Sequence, residues 1–222
     1  SGVATREQVK EIYRSAKRYL WDKDLNGFRL NTDFREIQPA LGRAFAFAYG
    51  EKENGAFFSH MNVMFAYALY KRGFAREGFE VLDSIYRMCL NTGLSKIYPG
   101  LPEYFNSDGR GMYHYLTGSA SWLALTMLTQ AFGVRGDAGD LAIDPKLTRG
   151  QFGKSGRASV DTSFSGRRIR VNYFNPDDLD YGEYKVGTIY INGSPAGVSP
   201  VKKEFFLELA SKELNIVDVR LS

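Results

Sequence analysis

The chain has 222 residues, 44% of them apolar, and its 29 basic and 25 acidic side chains give a formal net charge of +4. This content is enough for one large domain or two smaller ones with cores of their own. The charge is spread along the chain and no run reaches the roughly 18 apolar residues of a membrane span, so neither nucleic acid nor membrane is an expected partner. The single cysteine, Cys89, excludes a disulfide framework and, with no signal-peptide pattern, favours a reducing, cytoplasmic compartment.

The first two-thirds of the sequence predict helices. Residues 5–8 have the spacing of a capping box, and apolar residues follow at helical period. Similar patterns predict helices at 57–73, 79–89 and 117–133, whereas 91–115, with its glycines, prolines and aromatics, predicts a long loop that lines a site. The stripe of the second helix is predicted to bury Phe57, Met61, Met64, Phe65, Ala68 and Leu69.

Near Gly136 the pattern changes from a helical period to an alternating one. The runs "RASVDTSF", "RRIRVNYF", "GTIYING", "EFFLEL" and "NIVDVRL" predict strands, and Asn192-Gly193 is a two-residue hairpin signal. The cluster of Arg167, Arg168 and Arg170 is interpreted as a solvated strand surface. We therefore predict an α+β chain, with a helical part at 1–136 and an antiparallel β-sheet or β-sandwich at 137–222.

The number of predicted helices leaves two architectures open. Four or five helices are too few to close a helical barrel by themselves, so they are either part of a larger helical layer or a small bundle capped by the sheet. The pattern alone does not choose between these two.

Two motifs contain the only histidines, "KENGAFFSH" at 52–60 and "YHYLTGSASW" at 113–122. Thr117 and Gly118 stand where a helix begins, and the unpaired N–H groups, the helix dipole and a hydroxyl there suit an anion. His60, just inside another predicted helix, can donate to the same anion. Each motif alone also fits a helix cap or a polar residue between helices, which are commoner roles. Neither histidine has metal-ligand spacing, so no metal is expected.

Two carboxylates indicate a sugar site. Glu53 precedes Asn54-Gly55, and Glu103 lies in "PGLPEYF". Aromatic rings stack on sugar faces while carboxylates and amides bind the hydroxyls. The pair would suit a glycoside hydrolase or, without catalysis, a carbohydrate-binding or structural module.

The ordered blocks "KENGAFFSH", "PEY", "YHYLTGSASW" and "GDLAIDPKL" resemble the C-terminal part of glycoside hydrolase family 94, the inverting phosphorylases of cellobiose, chitobiose and β-1,2-glucans. The resemblance implies part of an (α/α)6 barrel at 1–136 and a β-sandwich-like domain at 137–222. It also implies phosphorolysis, in which inorganic phosphate attacks the anomeric carbon and gives α-glucose 1-phosphate without a cofactor. The stretches "GRAFAFAYG" and "RGMYHYLTGSASW" look most similar to those of the β-1,2-oligoglucan phosphorylases, which implies β-1,2-glucooligosaccharides as substrates.

The same resemblance implies roles for particular residues. His60, Thr117 and Gly118 would bind phosphate. Lys52 would contact sugar on the +1 side, which the acceptor sugar occupies in synthesis, Glu53 would contact sugar, and Glu103 would lie near the sugar subsites. Phe47 and Arg43 differ from the sugar-binding residues of the cellobiose enzymes. The general-acid aspartate of the family lies upstream of these motifs, and nothing before residue 50 resembles the segment that carries it. The chain is therefore expected to be the C-terminal portion of such an enzyme, inactive alone, with the rest of its polypeptide as a partner and homodimerisation left open.

Overall fold

The computed structural model describes residues 2–36, 38–98, 100–114 and 117–222. The chain forms two compact units, Ser1–Thr126 and Met127–Ser222. The strands of the second unit begin at Val134, three residues before the predicted start of the β-rich part at 137. No helix in the described ranges has both the length and the apolar character that a membrane span requires.

The first unit contains five α-helices, two short 3-10 helices (Pro39–Leu41 and Arg43–Ala46) and five very short strands among its described residues. The helices are α1 (Arg6–Tyr19), α2 (Ser59–Lys71), α3 (Ala75–Leu90), α4 (Thr92–Ser95) and α5 (Gly118–Thr126). The strands are β1 (Trp21–Asp22), β2 (Gly27–Phe28), β3 (Phe57–Phe58), β4 (Tyr104–Phe105) and β5 (Gly111–Met112). Strands β1 and β2 pair with each other, and β3, β4 and β5 form an antiparallel sheet in that order.

The predicted capping box starts α1. The Thr5 hydroxyl accepts from the Gln8 amide and the Gln8 side chain accepts from the Thr5 amide, at 3.2 and 2.8 Å. The two contacts satisfy backbone donors that a helix N-terminus otherwise leaves unpaired. The Glu80 carboxylate accepts from Tyr13 and Lys17, which ties α1 to α3.

The predicted burial stripe of α2 is partly wrong. Met61 and Met64 are 49% and 39% exposed, whereas the polar residues Ser59 and Asn62 are buried. Apolar residues occur on several faces of this helix, so their period does not single out one face. Contacts with α3 and α5 select the buried one, which consists of Ser59, Asn62, Val63, Ala66, Leu69 and Tyr70.

Close packing of α2 on α3 depends on a glycine. A Cβ placed on Gly78 would stand 2.6 Å from the Tyr70 ring, so only glycine lets the two helices meet there. The segment predicted as a long loop, 91–115, also contains α4 and supplies β4 and β5. Its strands β4 and β5 therefore belong to the same sheet as β3, the strand directly before α2.

The second unit is built on a five-stranded sheet. Its elements are β6 (Val134–Asp137), β7 (Asp140–Ile143), β8 (Arg157–Phe164), β9 (Arg167–Phe174), β10 (Val186–Ile191), β11 (Ser194–Gly197), α6 (Lys203–Leu209) and β12 (Asn215–Leu221). The strand order is β11-β10-β12-β9-β8, and β6 pairs with β7 as a separate hairpin. Asn192 and Gly193, with φ of 51° and 84°, make the predicted two-residue turn between β10 and β11.

Two predictions for this unit are wrong. The run "EFFLEL" lies in the helix α6 and not in a strand, because its apolar residues do not alternate strictly and only Phe206 is buried. The sheet is also not wholly antiparallel. The chain passes through α6 before it returns as β12 in the middle of the sheet, where β12 runs parallel to β9. The (α/α)6 barrel and the β-sandwich stay predictions.

Candidate functional site

The segment "EKEN" forms a tight turn that precedes β3. Glu51 and Asn54 pair as an isolated antiparallel bridge across it. The turn includes Lys52 with φ of 47°, a left-handed conformation that a residue with a side chain rarely adopts. Gly55, with φ of 76°, follows, and a Cβ there would stand 2.1 Å from the Tyr49 ring.

Lys52 projects its ammonium group onto aromatic rings. Its Nζ lies 4.4 Å from the centre of the Tyr113 ring and 5.4 Å from that of Phe47. The attraction between a cation and a ring face holds the long side chain in place. The Lys52 side chain is therefore held against Tyr113, the residue directly after β5. Its Nζ–H groups can donate to a ligand hydroxyl.

Glu53 points one carboxylate oxygen into the protein. Its Oε2 is buried and has no hydrogen-bond partner within the part of the chain that the structure describes. A buried carboxylate oxygen without a donor is costly, and a sugar hydroxyl or a water molecule would relieve that cost.

His60 occupies the second position of α2. The helix has no side-chain cap, and the amide of its first residue, Ser59, donates to the Glu103 carbonyl at 2.8 Å. The imidazole Nε2 is buried without a partner among the described residues, and so is the Ser59 hydroxyl. Unpaired polar atoms at a helix N-terminus are suited to an anionic ligand.

The structure brings the two histidine-containing motifs together. A Cβ added to Gly118 would stand 2.9 Å from His60 Cε1 and 3.4 Å from Nε2, so the first residue of α5 lies directly against the imidazole. The Trp122 ring lies 6.1 Å from the same imidazole, between centres. The N-terminal ends of α2 and α5 therefore meet, and both carry partial positive charge.

Thr117 caps α5. Its Oγ1 accepts from the Ser119 amide at 3.2 Å and lies 2.8 Å from the Ser119 hydroxyl. The Gly118 amide precedes this capped position, in the first turn, where N–H groups lack intrahelical partners. Tyr115 and Leu116, which belong to the same motif, lie outside the described residues.

Glu103 reaches the site through its backbone. Its amide donates to the Met112 and Tyr113 carbonyls at 3.1 and 2.9 Å, and its carbonyl accepts from Ser59. The Glu103 side chain is half-buried. Glu103 therefore joins the Lys52–Tyr113 contact to the start of α2, next to His60.

Glu51 lies beside the candidate site and was not predicted by the sequence analysis. Its two oxygens accept from the Tyr104 hydroxyl and the Asn106 amide group, each at 3.1 Å. Burial raises the pKa of Tyr104, and the Glu51 charge and hydrogen bond raise it further. Glu51 thus holds a neutral tyrosine, whose ring stacks on Phe58 with centres 6.2 Å apart. The sequence signal that could have identified Glu51 is its position directly before the "KENG" motif.

A separate cleft of 510 Å³ opens between α3 and the β1–β2 turn. Trp21, Asp24, Glu80, Asp83 and Arg87 are among its lining residues, and none of the six predicted site residues is. We place the candidate site at the His60–Gly118 contact and not in this cleft, because unpaired buried polar atoms occur at the former.

Comparison with known proteins gives no matching family model. The chain is similar to three curated phosphorylases, among others. The N,N'-diacetylchitobiose phosphorylase of Vibrio proteolyticus is 24% identical over 204 residues, which are 88% of this chain and 24% of the relative. The 3-O-beta-D-glucopyranosyl-beta-D-glucuronide phosphorylase of Paenibacillus borealis is 23% identical over 84% of this chain and 25% of its own length. The cellobionic acid phosphorylase of Neurospora crassa is 27% identical over 66% of this chain and 20% of its own.

These relatives are all phosphorylases of saccharides by name, which supports the resemblance to glycoside hydrolase family 94. The chain spans about a quarter of the length of the first two and a fifth of the third.

Proposed function

We propose that this chain is the C-terminal portion of an inverting glycoside phosphorylase and that it supplies the phosphate site and part of the sugar site. The observation that carries the proposal is the contact between His60 and Gly118. It places an unpaired imidazole nitrogen at the junction of two helix N-termini. The names of the curated relatives support the same chemistry.

In this proposal the chain's own residues bind and orient phosphate. The Gly118 amide and His60 Nε2–H donate to phosphate oxygens, and the absence of a side chain on Gly118 lets the imidazole lie against the start of α5. The positive ends of the two helix dipoles stabilise a negatively charged ligand there. Thr117 keeps the first turn of α5 in position through its hydrogen bond to Ser119.

The reaction transfers a glycosyl group to phosphate. A phosphate oxygen forms a bond to the anomeric carbon, the bond to the glycosidic oxygen breaks, and that oxygen takes a proton from an acid. The opposite-face attack inverts a β-glucoside to α-glucose 1-phosphate. We assign the acid to the rest of the enzyme, so the 222-residue chain alone is expected to be inactive.

On the sugar side, we propose that Lys52 and Glu53 bind hydroxyls and that Glu103 lies near the same subsites. The substrate class favoured by the sequence is β-1,2-glucooligosaccharides. The cytoplasmic location and a homodimer stay predictions.

The proposal is tested by incubating the complete enzyme with each β-linked glucobiose, with and without inorganic phosphate. We expect α-glucose 1-phosphate only when phosphate is present, with most product from sophorose. Free glucose formed without phosphate would support the hydrolase, and binding without turnover would support the carbohydrate-binding module. A preference for another linkage would overturn the β-1,2 assignment alone.

A further inference from the structure

The turn that carries Lys52 and Glu53 is held by a partly buried arginine on a different segment. Arg29 follows β2, and its side chain is only 14% exposed. Its Nη1 donates to the Gly55 carbonyl at 2.9 Å and to the Ser107 hydroxyl at 3.0 Å. One guanidinium group therefore contacts both the end of the "KENG" motif and the loop between β4 and β5.

The guanidinium group is itself fixed on its other sides. Nε and Nη2 both donate to Asp22 Oδ2, at 3.0 and 2.8 Å. The guanidinium carbon lies 4.6 Å from the centre of the Phe57 ring and 5.4 Å from that of Tyr49. A planar group with five donors can satisfy all these contacts at once, which an ammonium group cannot do.

The residues after Arg29 reinforce the hold on the turn. The Leu30 amide donates to the Ala56 carbonyl at 3.0 Å, and the Asn31 side chain accepts from the Gly55 amide at 2.8 Å. With the Arg29 contact, both backbone polar groups of Gly55 are bound by side chains from the segment 29–31. The turn therefore cannot shift without breaking a charged hydrogen bond.

A second set of hydrogen bonds connects Arg29 to the turn through Ser107. The Ser107 amide donates to the Gly50 carbonyl at 3.2 Å, while Arg29 binds the Ser107 hydroxyl. Gly50 in turn donates to the Asn54 carbonyl at 2.6 Å, which closes the turn. Arg29 thus connects the base of the turn with the loop that leads to Tyr113, the ring on which Lys52 rests.

We propose that Arg29 is a positioning residue that sets the place of Lys52 and Glu53 in the sugar site, an inference that rests on the proposed function. Arg29 acts through the turn and does not touch sugar itself. Displacing a positioned group by about 1 Å can lower turnover by about 100-fold. The phosphate site depends on it less, because His60 and Gly118 are held by α2 and α5.

The test compares Arg29→Lys with wild type in the complete enzyme. Lysine keeps the charge near Asp22 but cannot also bind Gly55 and Ser107. In the synthetic direction we expect KM for the acceptor sugar to rise about 10-fold or more, while KM for α-glucose 1-phosphate changes much less. Arg170→Lys is the matched control, because Arg170 on an exposed strand also donates through Nε and Nη2 to a carboxylate, that of Asp161.

Hydrogen exchange of the amides at 50–55 gives a second readout that needs no activity. We expect faster exchange there in Arg29→Lys and no change in the Arg170→Lys control. Unchanged exchange in a folded Arg29→Lys protein, or an equal rise of both KM values, would overturn the positioning role. A wild-type enzyme without phosphorolysis would overturn the proposed function and the kinetic role, while exchange would still decide whether Arg29 holds the turn.

Discussion

The imidazole of His60 lies against Gly118, which is 58 positions further along the chain. A Cβ on Gly118 would reach within 2.9 Å of His60 Cε1. The contact unites two motifs that each fit an ordinary helix cap when considered alone. Their convergence is the feature that distinguishes a ligand site from two unrelated caps.

Substitution of Gly118 by alanine is predicted to displace the imidazole. The added methyl group leaves no room for His60 Cε1 in its present place, so the imidazole and its Nε2 donor are expected to move away from the Gly118 amide. We expect KM for phosphate in the complete enzyme to rise by about 10-fold or more, which corresponds to one lost charge-assisted hydrogen bond. The stability of the fold should change little, because the imidazole can move.

Gly136→Ala is the control for this substitution, since a Cβ there meets nothing within 4 Å. Phosphate kinetics and thermal unfolding of both variants give the comparison. Equal phosphate KM values in Gly118→Ala and Gly136→Ala would contradict the placement of the anion.

We predict that Lys52 lowers the stability of the fold while its ammonium group supports sugar binding. Its φ of 47° costs a non-glycine residue about 1 kcal/mol, so Lys52→Gly should raise the free energy of unfolding by about that amount. The same change removes the ammonium group from the proposed sugar site and should raise KM for sugar. Lys52→Met keeps the strain and loses only the charge, so it should raise KM for sugar without gaining stability. Denaturant unfolding that shows Lys52→Gly less stable than Lys52→Met would argue against the strain.

The ion pair of Asp22 with Arg29 is predicted to make stability depend on pH. Burial alone would raise the pKa of Asp22, but hydrogen bonds from the Leu25 amide and the Arg29 guanidinium outweigh it and lower the pKa below its ordinary 3.8. A depressed carboxyl pKa stabilises the folded state above about pH 4, and this contribution disappears as pH falls through the folded-state pKa.

The measurement for this pair is the free energy of unfolding of wild type and Asp22→Asn between pH 7 and pH 3. We expect the variant to be less stable by about 1.5–3 kcal/mol at pH 7, because the partly buried Arg29 loses its charged partner. The difference should narrow below about pH 4. A difference that widens towards low pH would contradict the assigned direction.

The sequence predicted local structure where a short pattern sets it. The capping box at Thr5 and the hairpin at Asn192-Gly193 depend on neighbouring residues, and both are confirmed. The buried face of α2 was partly wrong, because contacts with α3 and α5 select it and the sequence of α2 does not record them. The parallel pairing of β12 with β9 likewise depends on where the chain returns after α6.

Some residues of the candidate site were also predictable from the sequence, and others were not. The two motifs were recognisable because glycine, histidine and hydroxyl-bearing residues stand close together at the starts of predicted helices. Glu51 was missed because its partners, Tyr104 and Asn106, are more than 50 positions away. Arg29 was missed because the groups that it connects, Gly55 and Ser107, are 26 and 78 positions away. Contacts over such distances leave no periodic signal in a single sequence.

The most direct test of phosphate binding is the dependence of phosphorolysis on phosphate concentration in the complete enzyme and its His60→Ala variant. Loss of a charge-assisted hydrogen bond is worth about 1.5–3 kcal/mol, or roughly 10- to 150-fold. We predict that kcat/KM for phosphate falls by this factor while the affinity for the sugar substrate changes by less than about 3-fold. An unchanged phosphate dependence in a folded His60→Ala enzyme would contradict the account.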